Sequence, residues 1–245
     1  MNACLVNNFS PHTGAGKYAF NLFQELRKID SQIEMHYFGK SVNHKGVNEI
    51  GFDFKLPFLD STIKNTYFIP KKIPSTHSIY HATNQFLSQL AVYRKPCVVT
   101  CLDIIPITQK NDFNPVLRHF LKKSIDGLKK SEHILAISQF TKNELVQKLG
   151  INEDKVTVTY LGFDKRIFLS KNKQLARKVL GFENAHEIIL NVGSEEPRKG
   201  VDIALKAFSI ILRTHPDAIF VRVGEKTKKT EKLILANLRN NSRES

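Results

Sequence analysis

Apolar residues in this chain switch between two periods, and the switching predicts its elements. Ala3 to Val6 is a short apolar run, and Asn7-Asn8-Phe9-Ser10-Pro11-His12-Thr13 has the residues of a loop. Gly14-Ala15-Gly16 follows, after which Tyr18, Leu22, Phe23 and Leu26 recur at helical spacing. Gln32 to Phe38 predicts a second strand, and Ile79 to Asn84 a strand that ends in polar residues. Pro96 precedes a buried strand that starts at Cys97 and ends in Asp103. Pro115 to Lys130 predicts a basic amphipathic helix with Leu117, Phe120, Leu121, Ile125 and Leu128 inward. Ile134 to Ile137 predicts a strand, and Ser138 stands where a helix N-cap belongs. Thr141-Lys142-Asn143-Glu144 repeats capping-box spacing at the start of a helix ending near Gly150. Val156 to Tyr160 predicts a further strand, and Leu161-Gly162-Phe163-Asp164 turns the chain outward.

A polar, basic stretch from about Lys165 to Glu187 reads as a linker with one short helix. Ile188 to Val192, Val201 to Leu212 and Ala218 to Val223 then form a fresh strand–helix–strand, with a last helix near Thr230 to Asn240. Strands alternating with helices predict the α/β class with parallel sheets. The expected division is one Rossmann-like domain over 1–168 and the first part of a second over 169–245. The forty residues after Phe38 are the least legible. Phe52, Phe54, Phe58, Tyr67 and Phe68 would fill an irregular corner of core or cover a pocket, and the core reading is preferred.

Composition narrows the class. The 245 residues are 41% hydrophobic and 24% charged, as in a globular protein. No apolar run approaches the roughly 20 residues of a membrane span, so the expected location is cytoplasmic. Cys4, Cys97 and Cys101 make no disulfide framework, and Cys97 and Cys101, four apart on one strand, should pack as small apolar residues. The net charge of +14 admits nucleic acid, an anionic membrane surface or an anionic small substrate. Lys122-Lys123, Lys129-Lys130 and Lys226 to Lys229 are dispersed, with no zinc spacing or RNA-binding aromatic signature to organise them. Nucleic acid is therefore not expected, and peripheral contact with anionic lipid at the inner face of a membrane fits better.

The candidate chemistry sits where strands give way to helices. Gly193 ends an apolar β-branched run, and Arg198-Lys199-Gly200 leads into the helix at Val201. Fixed cations beside a helix N-terminus suit a phosphate, although two cations on a solvated loop would look the same. The glycine pair at 14 and 16 fits a dinucleotide fingerprint as Gly14-x-Gly16-x-x-Ala19, yet Gly39 and Lys40 stand where its acidic residue belongs. A P-loop fails at Pro11 and Tyr18. The pair serves a phosphate or simply close strand–helix packing. His81 and Asp103 fall near the carboxyl ends of neighbouring strands, and His81 is a ligand contact or a structural histidine.

Taken together, Gly14-x-Gly16, His81, Ser138-Gln139-Phe140-Thr141 and Gly162-Phe163-Asp164 resemble the N-terminal half of a retaining, GT-B-fold glycosyltransferase. Val192-Gly193-Ser194-Glu195-Glu196-Pro197-Arg198-Lys199-Gly200 is similar to the VG…EPRKN segment of the family-4, group 1 glycosyltransferases. The resemblance implies two Rossmann-like domains facing across a cleft. The C-terminal one would bind a GDP- or UDP-linked sugar, and the N-terminal one a glycan or lipid-linked acceptor. It implies catalytic roles for Arg198, Lys199, His81 and Asp103, and substrate-binding roles for Gly14, Gly16, Lys17, Ser138 and Gly193. No metal or other cofactor is implied, and no Asp-x-Asp motif occurs. Mannosyl transfer in polysaccharide biosynthesis is the commonest activity the resemblance suggests. Two departures stand out. Leu102-Asp103 replaces a usual His-Asp, and the chain ends before the Glu-containing segment that holds ribose and sugar. The chain thus reads as a truncated or split copy, needing a complementary C-terminal half for activity. An NAD(P)-dependent oxidoreductase and a non-catalytic binding remnant are the competing readings.

Overall fold

A computed structural model describes residues 2–40, 42–56, 59–105, 115–165, 172–184, 187–194, 196 and 199–224. The chain separates into two compact units, Met1–Phe163 and Asp164–Ser245. In the first, β1 (Ala3–Asn7), α1 (Gly14–Ile29), β2 (Glu34–Tyr37) and β3 (Val47–Glu49) come before a broken helical stretch. That stretch comprises α2 (Asp60–Ile63), a π turn at Lys64–Phe68 and α3 (Ile69–Lys72). Next come β4 (Ile79–Ala82), α4 (Leu90–Tyr93), β5 (Cys97–Cys101), α5 (Pro115–Lys130), β6 (His133–Ala136), α6 (Gln139–Leu149) and β7 (Val156–Val158).

The seven strands form one parallel sheet in the order β3-β2-β1-β4-β5-β6-β7. Such a sheet must be covered on both faces, and alternate residues of each strand divide between the two covers. Cys4, Val6, Tyr80, Ala82, Cys97, Val99, Cys101 and Ile134 pack with Ile69, Leu90, Leu128 and Leu145 from the helices of one layer. Ala3, Leu5, Met35 and Tyr37 pack with Ala19, Phe20 and Phe23 of α1 on the other. The chain builds outward from β1 to β3, then returns to lay β4 on β1's free side. The order therefore reverses between β1 and β4, and a crevice opens at their carboxyl ends.

Several expectations move. The strand predicted to reach Tyr160 stops at Val158, and Tyr160 is exposed. Thr141 lies one turn inside α6, whose cap is Ser138, and Glu144 pairs with Lys148 instead of closing a capping box. On α5 the buried seam is Phe120, Ser124, Gly127 and Leu128, with Leu121 and Ile125 only half-buried. A β-carbon on Gly127 would meet the Ser88 backbone at 2.5 Å, so small residues carry this contact. Of the aromatic cluster, Phe52, Phe54 and Phe68 gather at a corner where Lys64 lies 5.0 Å from two of the rings. Only Phe52 packs against the core, while Phe54 and Phe68 stay exposed, so the preferred core reading holds for Phe52 alone. Tyr67 turns away to His119, and Phe58 lies outside the described residues.

The second unit holds α7 (Lys173–Val179), β8 (Ile188–Val192), α8 (Val201–Ile211) and β9 (Ile219–Val223), with β8 and β9 paired in parallel. Phe208 of α8 meets Phe220 of β9 at 5.4 Å between ring centres. Leu190, Val192, Ile203 and Ile210 nevertheless stay more than 60% exposed, and among the described apolar residues here only Val201 and Ala218 are buried. The predicted helix near Thr230 to Asn240 lies outside the described residues. Backbone opening costs least where few apolar contacts must be broken. Hydrogen exchange should therefore be faster in β8 and β9 than in β1, β4 and β5, by on the order of 10²-fold or more. Equal protection in the two sheets would contradict this burial pattern.

Candidate functional site

The crevice between β1 and β4 is built from buried polar side chains rather than apolar ones. Asn7, Thr83, Asn84 and Gln85 are all at most 2% exposed, and all are hydrogen-bonded. Asn7 Nδ2 donates to the Phe9 carbonyl, and Asn7 Oδ1 accepts from the Phe9 amide and from Thr83 Oγ1. Asn84 Nδ2 donates to Asn8 Oδ1 at 2.9 Å, and Asn8 Nδ2 donates on to Asn65 Oδ1 at 3.0 Å. A buried amide without partners would cost a few kcal/mol, so this satisfied network fixes the loops it joins.

The loop after β1 delivers α1 to the crevice. The Ser10 carbonyl accepts from the Thr13 amide at 2.9 Å and from Thr13 Oγ1 at 2.8 Å. Thr13 is the N-cap, its hydroxyl accepting from the Gly16 amide at 3.1 Å. Gly16 is buried against this loop, where an added β-carbon would sit 1.8 Å from the Ser10 oxygen; at Gly14 nothing lies within 4 Å. The two glycines thus differ. Gly16 permits close packing and its amide is already used, whereas Gly14 opens the helix on the exposed side. The first turn of α1 contains no acidic residue, and Lys17 projects from it exposed. That end of the helix is therefore electropositive.

His81 lies beneath α1. Its Nε2 meets Thr100 Oγ1 at 2.8 Å, and Thr100 Oγ1 meets Tyr18 OH at 2.9 Å. Burial pushes the His81 pKa down to about 4, so the imidazole is neutral near pH 7. Burial also raises the Tyr18 hydroxyl, and the Thr100 contact opposes that rise. Asp103 follows β5, and its Oδ1 is buried without a hydrogen-bond partner. At the next strand end Ser138 spends its hydroxyl on capping α6, accepting from the Thr141 amide at 3.1 Å. Thr100 and Tyr18 escaped the sequence reading because one is mid-strand and the other on an apolar helix stripe. The polar tail of β4 was the only signal of the amide network.

In the second unit, Gly193 ends β8 with φ 154°, its amide bound to the Val223 carbonyl at 2.9 Å. Arg222 Nη2 donates to the Gly193 carbonyl at 3.2 Å. Lys199 is exposed, its amide bonded to the Glu196 carbonyl at 2.8 Å. Gly200 is the N-cap of α8 in the left-handed conformation, φ 61°, which glycine and asparagine accept most readily. A glycine cap offers no side-chain acceptor, so the first amides of α8 have none from that residue. Exposed cation and uncapped helix N-terminus thus adjoin each other in sequence and structure. Arg198 lies outside the described residues. A separate concavity of about 590 Å³ lies against α7, lined by residues including Lys173, Arg177, Phe182 and Glu187 at the amino end of β8. None of the predicted site residues lines it.

Comparison with known proteins agrees with this architecture. The family model described as Glycosyltransferase Family 4 matches residues 12–166, and that of Glycosyl transferases group 1 matches residues 172–243. A D-inositol 3-phosphate glycosyltransferase of Segniliparus rotundus is 30% identical over 95 residues, which is 39% of this chain and 21% of that protein. The putative glycosyltransferase YtcC of Bacillus subtilis is 30% identical over 100 residues, 38% of this chain and 24% of that protein. Among solved structures, Anabaena Alr3699/HepE in complex with UDP and glucose has a TM-score of 0.71 at 17% identity, covering 99% of this chain and 66% of that one. A sucrose-phosphate synthase from Thermosynechococcus elongatus has a TM-score of 0.70 at 14% identity, covering 98% and 68% respectively. The fold is thus GT-B-like α/β. The chain spans about two thirds of those solved structures, and its matched segments span under a quarter of the curated relatives.

Two measurements probe this geometry. Gly→Ala inside a helix ordinarily stabilises by up to about 1 kcal/mol. Gly14→Ala should behave so, whereas Gly16→Ala should destabilise by about 1–3 kcal/mol because its methyl meets the Ser10 carbonyl. Urea unfolding of the two variants reads the opposite signs, and matching signs would refute the close approach. For His81 the unfolded imidazole binds a proton below its usual 6.5 while the folded one resists until about 4. Stability should therefore rise with pH between those values. His81→Gln should flatten that rise, and an unchanged slope would contradict the assignment.

Proposed function

The chain belongs to glycosyltransferase family 4, and on that premise we propose that it takes part in hexosyl transfer from a nucleoside-diphosphate sugar. The observation that carries the reading is Lys199 exposed beside the left-handed Gly200 cap, at the carboxyl end of β8. A diphosphate there meets a mobile ammonium and the uncapped amides of α8. As the sugar C1–O bond breaks, the electron pair passes to the leaving diphosphate, and cations placed beforehand stabilise the growing charge. Lys199, with Arg198 alongside it in sequence, is assigned this clamp, and Gly193 lets the backbone approach closely.

The first unit is assigned the acceptor, a glycan or a lipid-linked sugar. Gly14 and Lys17 offer an electropositive helix end, and the unpartnered Asp103 oxygen offers an acceptor for a sugar hydroxyl. Neutral His81 suits hydrogen bonding to an uncharged hydroxyl better than pairing with phosphate. Retention of anomeric configuration, and mannosyl transfer from GDP-mannose, belong to this proposal. UDP-glucose is the competing donor, since the Anabaena relative is described with UDP and glucose. Exposed Arg118, Lys122, Lys129 and Lys130 on α5 support a location beside anionic lipid, and no helix among the described residues is long and apolar enough to cross a membrane.

Calorimetric titration with UDP-glucose, GDP-mannose and NADPH tests the reading directly. One of the nucleotide sugars should bind, and Lys199→Ala should weaken that binding about 10-fold or more, the loss expected for a hydrogen bond to a charged group. Thermal stability should not change, because an exposed loop cation contributes little to folding. Binding of NADPH in preference to both sugars, or donor affinity indifferent to Lys199→Ala, would overturn the assignment.

A further inference from the structure

At the opposite, amino-terminal edge of the seven-stranded sheet lies a cluster unrelated to the crevice. Cys4 of β1, His36 of β2 and His77 of the loop before β4 each present one potential ligand atom, all within 4.8 Å of one another. Cys4 is 0% and His36 5% exposed, and the His77 side chain is 6% exposed. Both ring nitrogens of His36, and Nδ1 of His77, are buried with no hydrogen-bond partner. Buried imidazoles usually donate or accept at both nitrogens, so each of these rings has an unused lone pair or N–H open to a further partner.

A fourth donor adjoins them. Glu34 Oε2 lies 3.5 Å from His77 Nε2 and 3.8 Å from His36 Nε2. The parallel register sets Cys4 opposite Glu34, on the same face of the sheet. We propose that Cys4, His36, His77 and Glu34 form a structural site for a tetrahedral first-row divalent ion, with zinc the best fit to one sulfur, two nitrogens and one carboxylate. Zinc takes these donors at about 2.0–2.3 Å, which places them roughly 3.5 Å apart around the ion. Among Cys4, His36 and His77 no gap exceeds 4.8 Å, so a contraction of about 1 Å brings these three to the ion, with Glu34 reaching it from the side of the two histidines.

The surroundings hold the donors in place. Asn48 Nδ2 donates to Glu34 Oε2 at 3.0 Å, orienting the carboxylate. The His77 loop is tied down by its own amide on Tyr80 OH at 3.1 Å, by Tyr80 OH on the Pro74 carbonyl, and by Asn2 Nδ2 on the Thr76 carbonyl. Glu34, with its side chain 46% exposed, provides the way in for an ion. Burial holds the His36 pKa below the ordinary range, so its ring is uncharged with a lone pair free. Burial pushes the Cys4 thiol up to about 12, so binding must release the thiol proton to solvent as the metal–sulfur bond forms. No catalytic step is assigned to the ion. It would clamp β1, β2 and the entrance to β4, three segments separated by 32 and 41 residues in sequence.

The test uses the untagged full chain, stripped with EDTA and titrated with cobalt(II) as a spectroscopic stand-in for zinc. One equivalent should bind, giving tetrahedral ligand-field bands and a thiolate-to-cobalt charge-transfer band. Cys4→Ser should abolish the charge-transfer band, and Cys97→Ser should leave it. Free zinc at a hundred times its Kd should raise the folded-to-unfolded ratio about 100-fold, seen as a higher melting temperature. His77→Gln, on a loop, should lose most of that gain while folding normally, which keeps the test informative if Cys4→Ser does not fold. Absence of stoichiometric cobalt, a spectrum without a thiolate band, or a band unaffected by Cys4→Ser would each refute the site.

Discussion

Everything at the β1–β4 crevice depends on one close approach, that of the Ser10 carbonyl to the Cα of Gly16. The carbonyl is held by two donors from Thr13, and the same residue's hydroxyl caps α1. Capping and packing thereby become one event, since the loop cannot shift without uncapping the helix. The consequence reaches across the layer to Tyr18, whose hydroxyl meets Thr100 and, through it, His81. Helix start, strand interior and histidine orientation are thus consequences of a single missing side chain.

The lattice of buried amides beside it has a different logic. Asn84, Asn8 and Asn65 span three segments far apart in sequence, each bonded to the next, while Asn7 ties the Phe9 backbone to Thr83. In a low-dielectric interior such chains specify one arrangement, because any alternative leaves a polar group unsatisfied. An apolar filling would have tolerated sliding between the β1 and β4 loops. This one does not, so the α1 end and the loop after β4 are held in fixed places.

Legibility in the sequence followed how local each feature is. Strand and helix periods in β1, α1, β4, β5 and α6 could be read because burial on a repeating face leaves a repeating pattern. Ser138 was readable as a cap for the same reason. The α5 seam was not, because Ser124 and Gly127 bury by being small rather than apolar. The short broken helices after Phe58 carry no regular period to read. The glycine pair could not be apportioned between packing and ligand, since only the position of the Ser10 oxygen distinguishes 14 from 16. The grouping of Cys4, His36 and His77 was invisible because strand register, not spacing, brings them together. Arg198, central to the sequence reading, lies outside the described residues.

Gly200 has a consequence for how this loop can evolve. Its left-handed backbone admits glycine or asparagine with little strain, and the family segment ends in asparagine where this chain has glycine. Substitution there is filtered by conformation alone, whatever the ligand. On the proposed diphosphate clamp, Lys199, exposed and adjacent, would be filtered by ligand chemistry, since an exposed cation contributes little to folding. Under that proposal two neighbouring codons carry independent records, one of what the backbone permits and the other of what a bound diphosphate would demand. Drift at the second with constancy at the first would mark a lineage that has kept the shape and abandoned the substrate.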